Sequence, residues 1–355
     1  MLFKKLKAGA LYYAILVSFI VALLSGFLIL NIWYHHYHTL MLIQNIKLDR
    51  NNRSALIIAI ESPDLLNINQ SKLIDLYSNN DNNNKIILTK KLWGGYYILK
   101  AETEWRNIKN SLMELCGSDI KNGESMALYL TDNDRYLSVS GNTILKGNCY
   151  LPKTGIRRSD IEGLGFSGDE LVNGEIKISD TNLPSIEPLF IESNKFYLSN
   201  NKFQLDSVLT FQNFKITDSL YNSFNNKTVL IYSNNWIYLS NNIIKGNIKI
   251  VSTKGIKIDK NSKINDVIFY APKIVIEANF SGQVQLFAKD SIIINEGAKL
   301  LFPSFVAILN HDIKNPIIDI HKKSSIAGDI LLYSPENSNS ILPNCNLENV
   351  EFNVL

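Results

Sequence analysis

The sequence carries little net charge and none of the short motifs that mark common cofactor sites. Its 36 basic residues nearly balance its 33 acidic residues, and no basic block stands out. Nucleic-acid binding proteins need a basic patch that neutralises phosphates, so the charge distribution predicts no nucleic-acid partner. The chain contains no phosphate-binding loop, nucleophile elbow or zinc-ligand spacing. The motifs therefore predict no cofactor and no bound metal.

Cysteine is scarce, with only Cys116, Cys149 and Cys345 in 355 residues. Their spacing does not match a metal site. In an oxidising compartment two of them could pair and leave the third free, and the sequence does not favour any one pair. No cysteine follows the apolar N-terminal segment closely, which excludes a lipoprotein anchor.

Paired carboxylates of the kind used in acid–base catalysis are also missing. A solenoid enzyme that cleaves polysaccharides needs clustered acids, or a Lys or Arg base, on one outer face. The acids of the C-terminal half are instead scattered and are typical of solvated turns: Asp259, Asp266, Glu277, Asp290 and Glu296. The sequence therefore predicts that the protein is not an enzyme.

An uncharged run from Ala8 to Tyr34 follows Lys4, Lys5 and Lys7. At 1.5 Å per helical residue this run is long enough for a hydrocarbon core of roughly 30 Å, so residues 8–34 are predicted to contact the membrane as a single-pass helix. Basic residues on the short side predict a cytoplasmic N-terminus in the inner membrane. The rest of the chain is then periplasmic or extracellular, and residues 1–38 form the anchor.

A cleaved signal peptide is the alternative to a retained anchor. The apolar region of a signal peptide usually runs only about 7–15 residues, and Ser25-Gly26 is a weak cleavage site. Trp33, Tyr34 and Tyr37 are typical of an interfacial aromatic belt, which favours retention. We interpret the nearby histidines as interfacial rather than as metal ligands: His35, His36 and His38.

Residues 39–135 are predicted to form a small α+β domain with an antiparallel meander. Residues 39–77 are predicted to be helical in pieces, with a break and a new helix start at Ser62-Pro63-Asp64. Gly94-Gly95 and Asp132-Asn133-Asp134 are predicted hairpin turns. The predicted strands are Lys85–Thr89, Tyr96–Ala101, Ile108–Leu115, Ala127–Thr131 and Tyr136–Ser140.

This order of elements resembles the plan of type IV pilins and pseudopilins. The segment from Lys5 to Leu11 is similar to a prepilin leader that ends in glycine, here Gly9. Pilins usually carry a glutamate five residues into the mature helix, and this chain has Ala14 there. The resemblance implies a minor pseudopilin-like subunit, whereas the residues alone favour an ordinary signal anchor with a small α+β domain.

Four tetrapeptides in the C-terminal half are alike, and their first residues follow one another after 19, 19 and 17 positions. They are Val229–Tyr232, Ile248–Val251, Val267–Tyr270 and Val284–Phe287. A second set of alternating aliphatic pairs recurs after 19, 18 and 18 positions: Ile237/Leu239, Ile256/Ile258, Ile274/Ile276 and Ile292/Ile294. A repeat of this length predicts stacked coils that share one core.

A third recurring element closes each coil with a small or polar corner, because glycine supplies positive φ at a tight turn and Asn and Asp tolerate it. In Ile264-Asn265-Asp266 the corner lacks glycine. The predicted structural corner residues are Gly147, Gly174, Gly246, Gly282 and Gly328.

Three strands per coil of about 18 residues predict a three-sided, single-stranded β-helix, with a β-sandwich as the alternative. The fold class is therefore mainly β: a transmembrane helix, a small antiparallel α+β domain and then the solenoid. Residues 136–228 are predicted to hold irregular or distorted coils with insertions, residues 229–334 the regular solenoid, and residues 335–355 a C-terminal cap or tail. The regular part resembles bactofilins, which are polymer-forming β-helical scaffolds.

The densest polar run, residues 153–163, predicts a partner-binding loop or a solvated connector, with Arg157, Arg158, Asp160 and Glu162 as candidate contacts. Together these features favour a membrane-anchored envelope scaffold that self-associates or binds envelope proteins in a secretion, pilus-like or surface assembly. A glycan-binding or carbohydrate-active solenoid is the alternative, because Tyr238 and Tyr270 could stack on sugars if they are exposed rather than in the core.

Overall fold

The computed structural model describes residues 8–76, 85–117, 126–141, 143, 145–161, 163–184, 186–199, 208–210, 219–309, 316–333, 344–347 and 351–353. The protein is mainly β, and 48% of the described residues are in strands and 24% in helices. It divides into two compact units, Met1–Ser118 and Asp119–Leu355.

The first unit consists of one long helix and a four-stranded antiparallel sheet. The elements of this unit are α1 (Ala8–Glu61), a 3-10 turn (Pro63–Leu65), β1 (Gln70–Asp75), β2 (Lys85–Trp93), β3 (Tyr96–Trp105) and β4 (Ile108–Cys116). The strands are ordered β1-β2-β3-β4 in the sheet. Gly94 has a φ of 64° in the two-residue turn between β2 and β3, which confirms the hairpin predicted there.

Helix α1 is apolar and exposed in its first half and packs on the sheet in its second half. Leu48, Ala55 and Leu56 are buried, and the latter two pack among apolar residues of β2 and β3. The first half is the one helix among the described residues that is long and apolar enough to cross a membrane, with a mean hydropathy of 2.6 in its most apolar window. The predicted anchor and helical stem are therefore a single continuous helix.

Strand β1 corrects the prediction that residues 39–77 are helical in pieces. The break at Ser62-Pro63 is present, but the turn Pro63–Leu65 that follows is only three residues long. Gln70–Asp75 then pairs antiparallel with β2 along its full length. This edge strand has no strong β propensity of its own, and pairing with β2 determines its conformation.

The second unit is a parallel β-solenoid of about nine turns. Its first stack, residues 126–178, comprises β5 (Met126–Tyr129), β6 (Leu137–Val139), β7 (Leu145–Lys146), β8 (Asn148–Leu151), β9 (Ile156–Arg158), the short hairpin β10 (Asp160–Ile161) and β11 (Leu164–Gly165), β12 (Val172–Asn173) and β13 (Ile176–Ile178). Strands β5, β8 and β13 pair in parallel, as do β6 with β9 and β7 with β12.

The prediction that residues 127–140 end the antiparallel meander is therefore wrong. Strands β5 and β6 pair in parallel with the following coil, so the solenoid begins by Met126 rather than near residue 136. The expected hairpin turn is a corner instead: Asp132 accepts hydrogen bonds from the backbone N–H groups of Asp134 at 3.1 Å and Lys153 at 3.4 Å. The same turn residues serve hairpins and solenoid corners, and the sequence alone does not separate them.

A helix and a second stack follow. They comprise α2 (Pro188–Ser199), β14 (Val208–Thr210), β15 (Ser219–Asn222), β16 (Val229–Ser233), β17 (Ile237–Leu239), β18 (Ile243–Ser252), β19 (Ile256–Ile258), β20 (Lys263–Ile276), β21 (Ser281–Gly282), β22 (Val284–Ile294), β23 (Lys299–Leu309), β24 (Ile317–Ile320), β25 (Ser325–Tyr333), β26 (Asn344–Leu347) and β27 (Glu351–Asn353).

The second stack has three faces, each a parallel ladder. The first face runs through β14, β16 and residues 248–251, 267–271, 284–288, 305–309 and 329–333. The second face runs through β17, β19, residues 274–276 and 292–294, β24 and β26. The third face runs through β15, residues 243–245 and 263–265, β21, residues 299–300 and 325–326, and β27.

The two repeated sets of the sequence are the first and second faces, and the predicted registers are confirmed. Ile248 pairs with Val267 and Val267 pairs with Val284. Alternate residues point inward and form one core of stacked apolar side chains, such as Ile250, Phe269 and Leu286.

The C-terminal segment differs from the prediction. Strands β26 and β27 pair in parallel with β24 and β25, so the solenoid extends to Asn353 rather than ending at residue 334.

Candidate interaction surfaces

The corner glycines predicted from the sequence are of two kinds. Gly147, Gly174, Gly246 and Gly328 all have positive φ, as the corner interpretation requires. Gly282 does not, because it lies in strand β21. A Cβ at Gly282 would sit 2.6 Å from the carbonyl oxygen of Ile264 in the preceding coil, so close packing between coils explains this glycine.

Gly246 is the corner with the least room. Its φ is 95°, and a Cβ there would overlap the carbonyl oxygen of Asn222. The neighbouring Asn247 side chain accepts a hydrogen bond from the Thr228 hydroxyl at 2.8 Å and donates one to the carbonyl of Asn226 at 2.9 Å. Hydrogen bonds between successive corners therefore satisfy the polar groups where the strands bend.

The candidate partner-binding residues are not on a loop as predicted. Arg157 and Arg158 lie on strand β9, and Asp160 lies on β10, while Glu162 lies outside the described residues. The guanidinium of Arg157 lies 4.4 Å from the ring centroid of Tyr136. Arg158 donates a hydrogen bond to the carbonyl of Asp169 at 3.0 Å. Both arginines are exposed and form part of the outer surface of the first stack.

Helix α2 covers the first face of the solenoid from outside. The outward residues of that face are largely apolar, and the helix buries Phe190 and Asn194 against them. Phe190 contacts the rings of Phe287 and Phe305, with centroids 6.2 and 5.9 Å away. A helix inside the region predicted to be irregular is thus part of the packed structure.

Aromatic rings form a continuous stack under and within this contact. The ring of Tyr197 on α2 stacks on Tyr270 at 4.8 Å, Tyr270 stacks on Phe287 at 5.2 Å, and Phe287 stacks on Phe305 at 5.6 Å. The Tyr270 hydroxyl donates to the Asn194 side-chain oxygen at 2.8 Å. Tyr270 is fully buried, so the exposure that a sugar-stacking role for this residue requires is absent.

Lys249 lies at the edge of the same contact. It is an outward residue of β18, and its ammonium group lies 4.1 Å from the ring centroid of Tyr197. Burial lowers the pKa of Lys249 to about 8. Burial also raises the pKa of Tyr197 and that of Tyr270. The contact between α2 and the solenoid therefore contains groups whose charged forms are disfavoured.

The second face carries a different aromatic pair that α2 does not cover. The rings of Trp236 and Tyr238 lie 6.1 Å apart at an interplanar angle of 24°. Tyr238 is 55% exposed. In the next coil it is aligned with Lys257, whose ammonium group lies 2.7 Å from a carboxylate oxygen of Glu277. We refer to Trp236 and Tyr238 as the Trp236–Tyr238 platform.

Three of the acids noted in the sequence have polar partners in the folded solenoid. Glu277 pairs with Lys257, Glu296 lies 3.1 Å from Lys323, and Asp259 accepts a hydrogen bond from the Ser240 hydroxyl. Asp266 has a φ of 59° and occupies the corner without glycine that the sequence indicated. Burial raises the pKa of Asp266 and that of Asp290.

Among the residues that the structure describes, neither the histidines nor the cysteines form a metal site. The described residues contain no group of three or more His, Cys, Asp or Glu side chains placed to hold an ion. The ring of His38 packs on Tyr34 at 4.2 Å along α1. Cys116 and Cys149 are free thiols.

The first stack has an open end. Ile176 and Ile178 of β13 align with Cys149 and Leu151 of β8, which are buried core residues. Yet Ile176 is 55% exposed and Ile178 is 70% exposed. Within the described residues no strand pairs with the other edge of β13. The core columns of the first stack therefore end at solvent.

No protein-family model matches the chain, and no curated protein or solved structure matches it.

Proposed function

We propose that the protein is a non-catalytic, membrane-anchored scaffold of the bacterial envelope whose solenoid associates end to end with a second copy of the chain. The observation that carries this proposal is the open end at Ile176 and Ile178. Two aliphatic side chains that belong to core columns are exposed there, beside a strand edge that has no pairing strand in the described part of the chain. Exposed edges of this kind pair readily with another strand.

A second copy is the occupant whose geometry fits best. A coil of the same chain presents parallel strands with aliphatic residues at alternate positions, as Cys149 and Leu151 do beneath Ile176 and Ile178. Head-to-tail stacking of coils continues both the hydrogen-bond ladder and the core. Envelope proteins that contain a similar coil are the second class of partner.

The proposed location is the inner membrane, with residues 1–7 in the cytoplasm and the two folded units outside. Its support is the apolar first half of α1, the three lysines before it and the stacked rings of Trp33 and Tyr37 at its end. An alkaline phosphatase fusion after Asn353 tests the orientation. Activity of the fusion in intact cells supports it, and an inactive fusion contradicts it.

Light scattering of the full chain in detergent tests self-association. We expect the wild-type protein to show a mass above that of one 40.2 kDa chain that rises with concentration. The double variant Ile176→Lys, Ile178→Lys is expected to stay monomeric, because charges at the open end repel a second copy. Leu301→Lys is a matched control, since Leu301 is 47% exposed on the same solenoid away from this end. A wild-type protein that is monomeric at every concentration would contradict the proposal.

A minor pseudopilin-like subunit is the second candidate. Its support is the layout of the first unit, in which a helix with an exposed apolar half packs its second half on an antiparallel sheet. Mass spectrometry of the protein from membranes tests it. Loss of residues 1–9 supports processing after Gly9, and an intact N-terminus excludes it.

A further inference from the structure

The Trp236–Tyr238 platform is built into the solenoid although it contributes nothing to the core. Ile237, between the two aromatic residues, points into the core, so both rings point outward. The Trp236 indole lies across the next coil at Gly255. A Cβ at position 255 would sit 2.5 Å from the indole ring.

Gly255 lies in the turn between β18 and β19, where the Ser252 hydroxyl oxygen accepts hydrogen bonds from the backbone N–H groups of Lys254 and Gly255, and the indole accounts for its lack of a side chain. Its φ is not in the positive region, so its backbone conformation is open to other residues. The carbonyl of Gly255 accepts a hydrogen bond from the backbone N–H of Ile237 at 3.0 Å, which fixes it beside Trp236. The absence of a side chain at this position lets the indole lie against the backbone with its orientation fixed.

Polar groups of fixed position surround the rings. Lys257 and Glu277 form a 2.7 Å ion pair, and Lys257 is aligned with Tyr238. The Ser240 hydroxyl donates to Asp259 at 3.0 Å on the same side. A flat aromatic surface with hydrogen-bonding donors and acceptors at its border is suited to a ligand that has both an apolar face and a polar rim.

We propose that the Trp236–Tyr238 platform binds an uncharged polysaccharide chain. The C–H face of a pyranose ring is apolar and slightly positive, and it stacks on the electron-rich face of Trp236 or Tyr238. The hydroxyl groups at the edge of the sugar bond to Lys257 and Glu277. This binding function goes beyond the scaffold function and does not depend on self-association.

Other ligands with flat rings fit this surface less well. Single-stranded nucleic acids also stack on aromatic side chains, but their binding sites combine the rings with a positively charged groove. Here Lys257, the lysine aligned with Tyr238, is paired with Glu277, and the chain as a whole carries a net charge of only +3. The platform therefore favours an uncharged ligand.

Calorimetric titration of the full chain with cellohexaose and with chitohexaose tests the proposal. The detergent is lauryldimethylamine oxide, because its head group is not a sugar. We expect saturable binding of at least one oligosaccharide, weakened about tenfold or more by Tyr238→Ala, which corresponds to about 1.4 kcal/mol. Gly255→Ala is expected to weaken binding similarly, because it displaces the indole without removing a ring.

Tyr221→Ala is the matched control, since Tyr221 is a 62% exposed tyrosine on the third face. Circular dichroism verifies the fold of each variant. If Tyr238→Ala does not fold, Tyr238→Lys replaces it, because Lys257 already occupies the same column. Binding that Tyr221→Ala weakens as much as Tyr238→Ala overturns the proposal. The absence of binding to both oligosaccharides also overturns the proposal. A parallel titration with oligo(dT) in which only oligo(dT) binds is one such result.

Discussion

The ammonium group of Lys249 lies 4.1 Å from the ring centroid of Tyr197, where helix α2 meets the first face of the solenoid. A cation over an aromatic face is attracted by the ring, which offsets part of the cost of taking the charge out of water. Burial nevertheless lowers the pKa of Lys249 to about 8. The charged lysine is therefore less favoured in this contact than in water, but it still predominates below about pH 8.

Stability of the second unit is expected to rise with pH between about pH 8 and pH 10. Below a pH of about 8 Lys249 is protonated in the folded and unfolded chains alike, and the folded state keeps the full penalty of the buried charge. Above a pH of about 8, Lys249 loses its proton in the folded chain but keeps it in the unfolded chain. The free energy of unfolding therefore rises, by about 1–3 kcal/mol. Tyr197, whose pKa is raised from 10.0, opposes this trend at higher pH.

Thermal unfolding of Lys249→Met at about pH 7 and about pH 9.5 measures this effect. The variant is expected to melt higher than the wild type at pH 7 and to lose the rise between the two pH values. Lys245→Met, at an exposed lysine on the same strand, is the control and is expected to keep the wild-type profile. An unchanged pH profile in Lys249→Met would mean that another group causes the rise.

Phe190→Ala is expected to detach α2 from the solenoid. The side chain is 7% exposed and packs on Phe287 and Phe305, and truncation of such a phenylalanine costs about 3–5 kcal/mol. Hydrogen exchange of residues 188–199 and of the first face is the measurement. Phe196→Ala on the same helix is the control, because Phe196 is 50% exposed and its removal is expected to cost less than about 0.5 kcal/mol. Equal effects of the two substitutions would contradict the observed packing of α2.

Alanine substitutions at three glycines are expected to give graded losses of stability. Gly246→Ala combines a φ of 95° with overlap on Asn222, and a loss of more than about 3 kcal/mol is expected. Gly282→Ala lacks the positive φ but meets the carbonyl oxygen of Ile264 at 2.6 Å and the Phe280 ring at 2.8 Å, and its loss is expected to lie between the extremes. Gly155 has a φ of 75° but open space around it, so its substitution is expected to cost about 1 kcal/mol. Denaturant unfolding of the three variants gives the order, and a reversed order would show that φ and contact do not control these corners.

Two adjacent asparagines of α1 are expected to respond oppositely to leucine. Asn51 is buried, and within the described residues its side-chain nitrogen has no hydrogen-bond partner, so Asn51→Leu is expected to stabilise the first unit by about 1 kcal/mol. The Asn52 side chain donates to Asn110 at 2.9 and 3.2 Å, so Asn52→Leu is expected to destabilise it by about 2 kcal/mol. Melting temperatures of the two variants in detergent provide the comparison, and each variant is the control for the other.

The regular solenoid was predictable because each of its coils repeats the same physical constraint. Ile250, Phe269 and Leu286 face one core, so alternation and spacing are visible in the residue order. Strands β5 and β6 were assigned to the wrong sheet, because a strand of three or four residues has the same composition whether its partner is parallel or antiparallel. The pairing is decided by contacts with β8 and β9, which lie about 20 residues further along the chain.

The surfaces were less predictable than the core. Tyr238 and Tyr270 occupy outward positions of similar repeats, yet one is 55% exposed and the other is fully buried. The difference arises from α2, a helix some 70 residues before Tyr270 whose position no local pattern encodes. Gly255 lies between two predicted strands, where a glycine is typical of a turn, so the sequence indicates no second role for it. Its role becomes visible only when the Trp236 ring of the previous coil is seen beside it.

Because α1 is unbroken, it determines the distance between its apolar first half and the sheet on which its second half packs. In the proposed orientation, with residues 8–34 in the bilayer, residues 35–44 form a helical spacer before Asn45 accepts a hydrogen bond from Asn110 of the sheet, and this spacer rises about 15 Å. A helix without a break transmits tilt of the membrane segment directly to the sheet of the first unit. Insertion of four residues into the spacer would lift that sheet by about 6 Å and turn it by about one full rotation of the helix. Under the proposed function, the spacer length determines the distance from the membrane surface at which the sheet of the first unit could contact a partner.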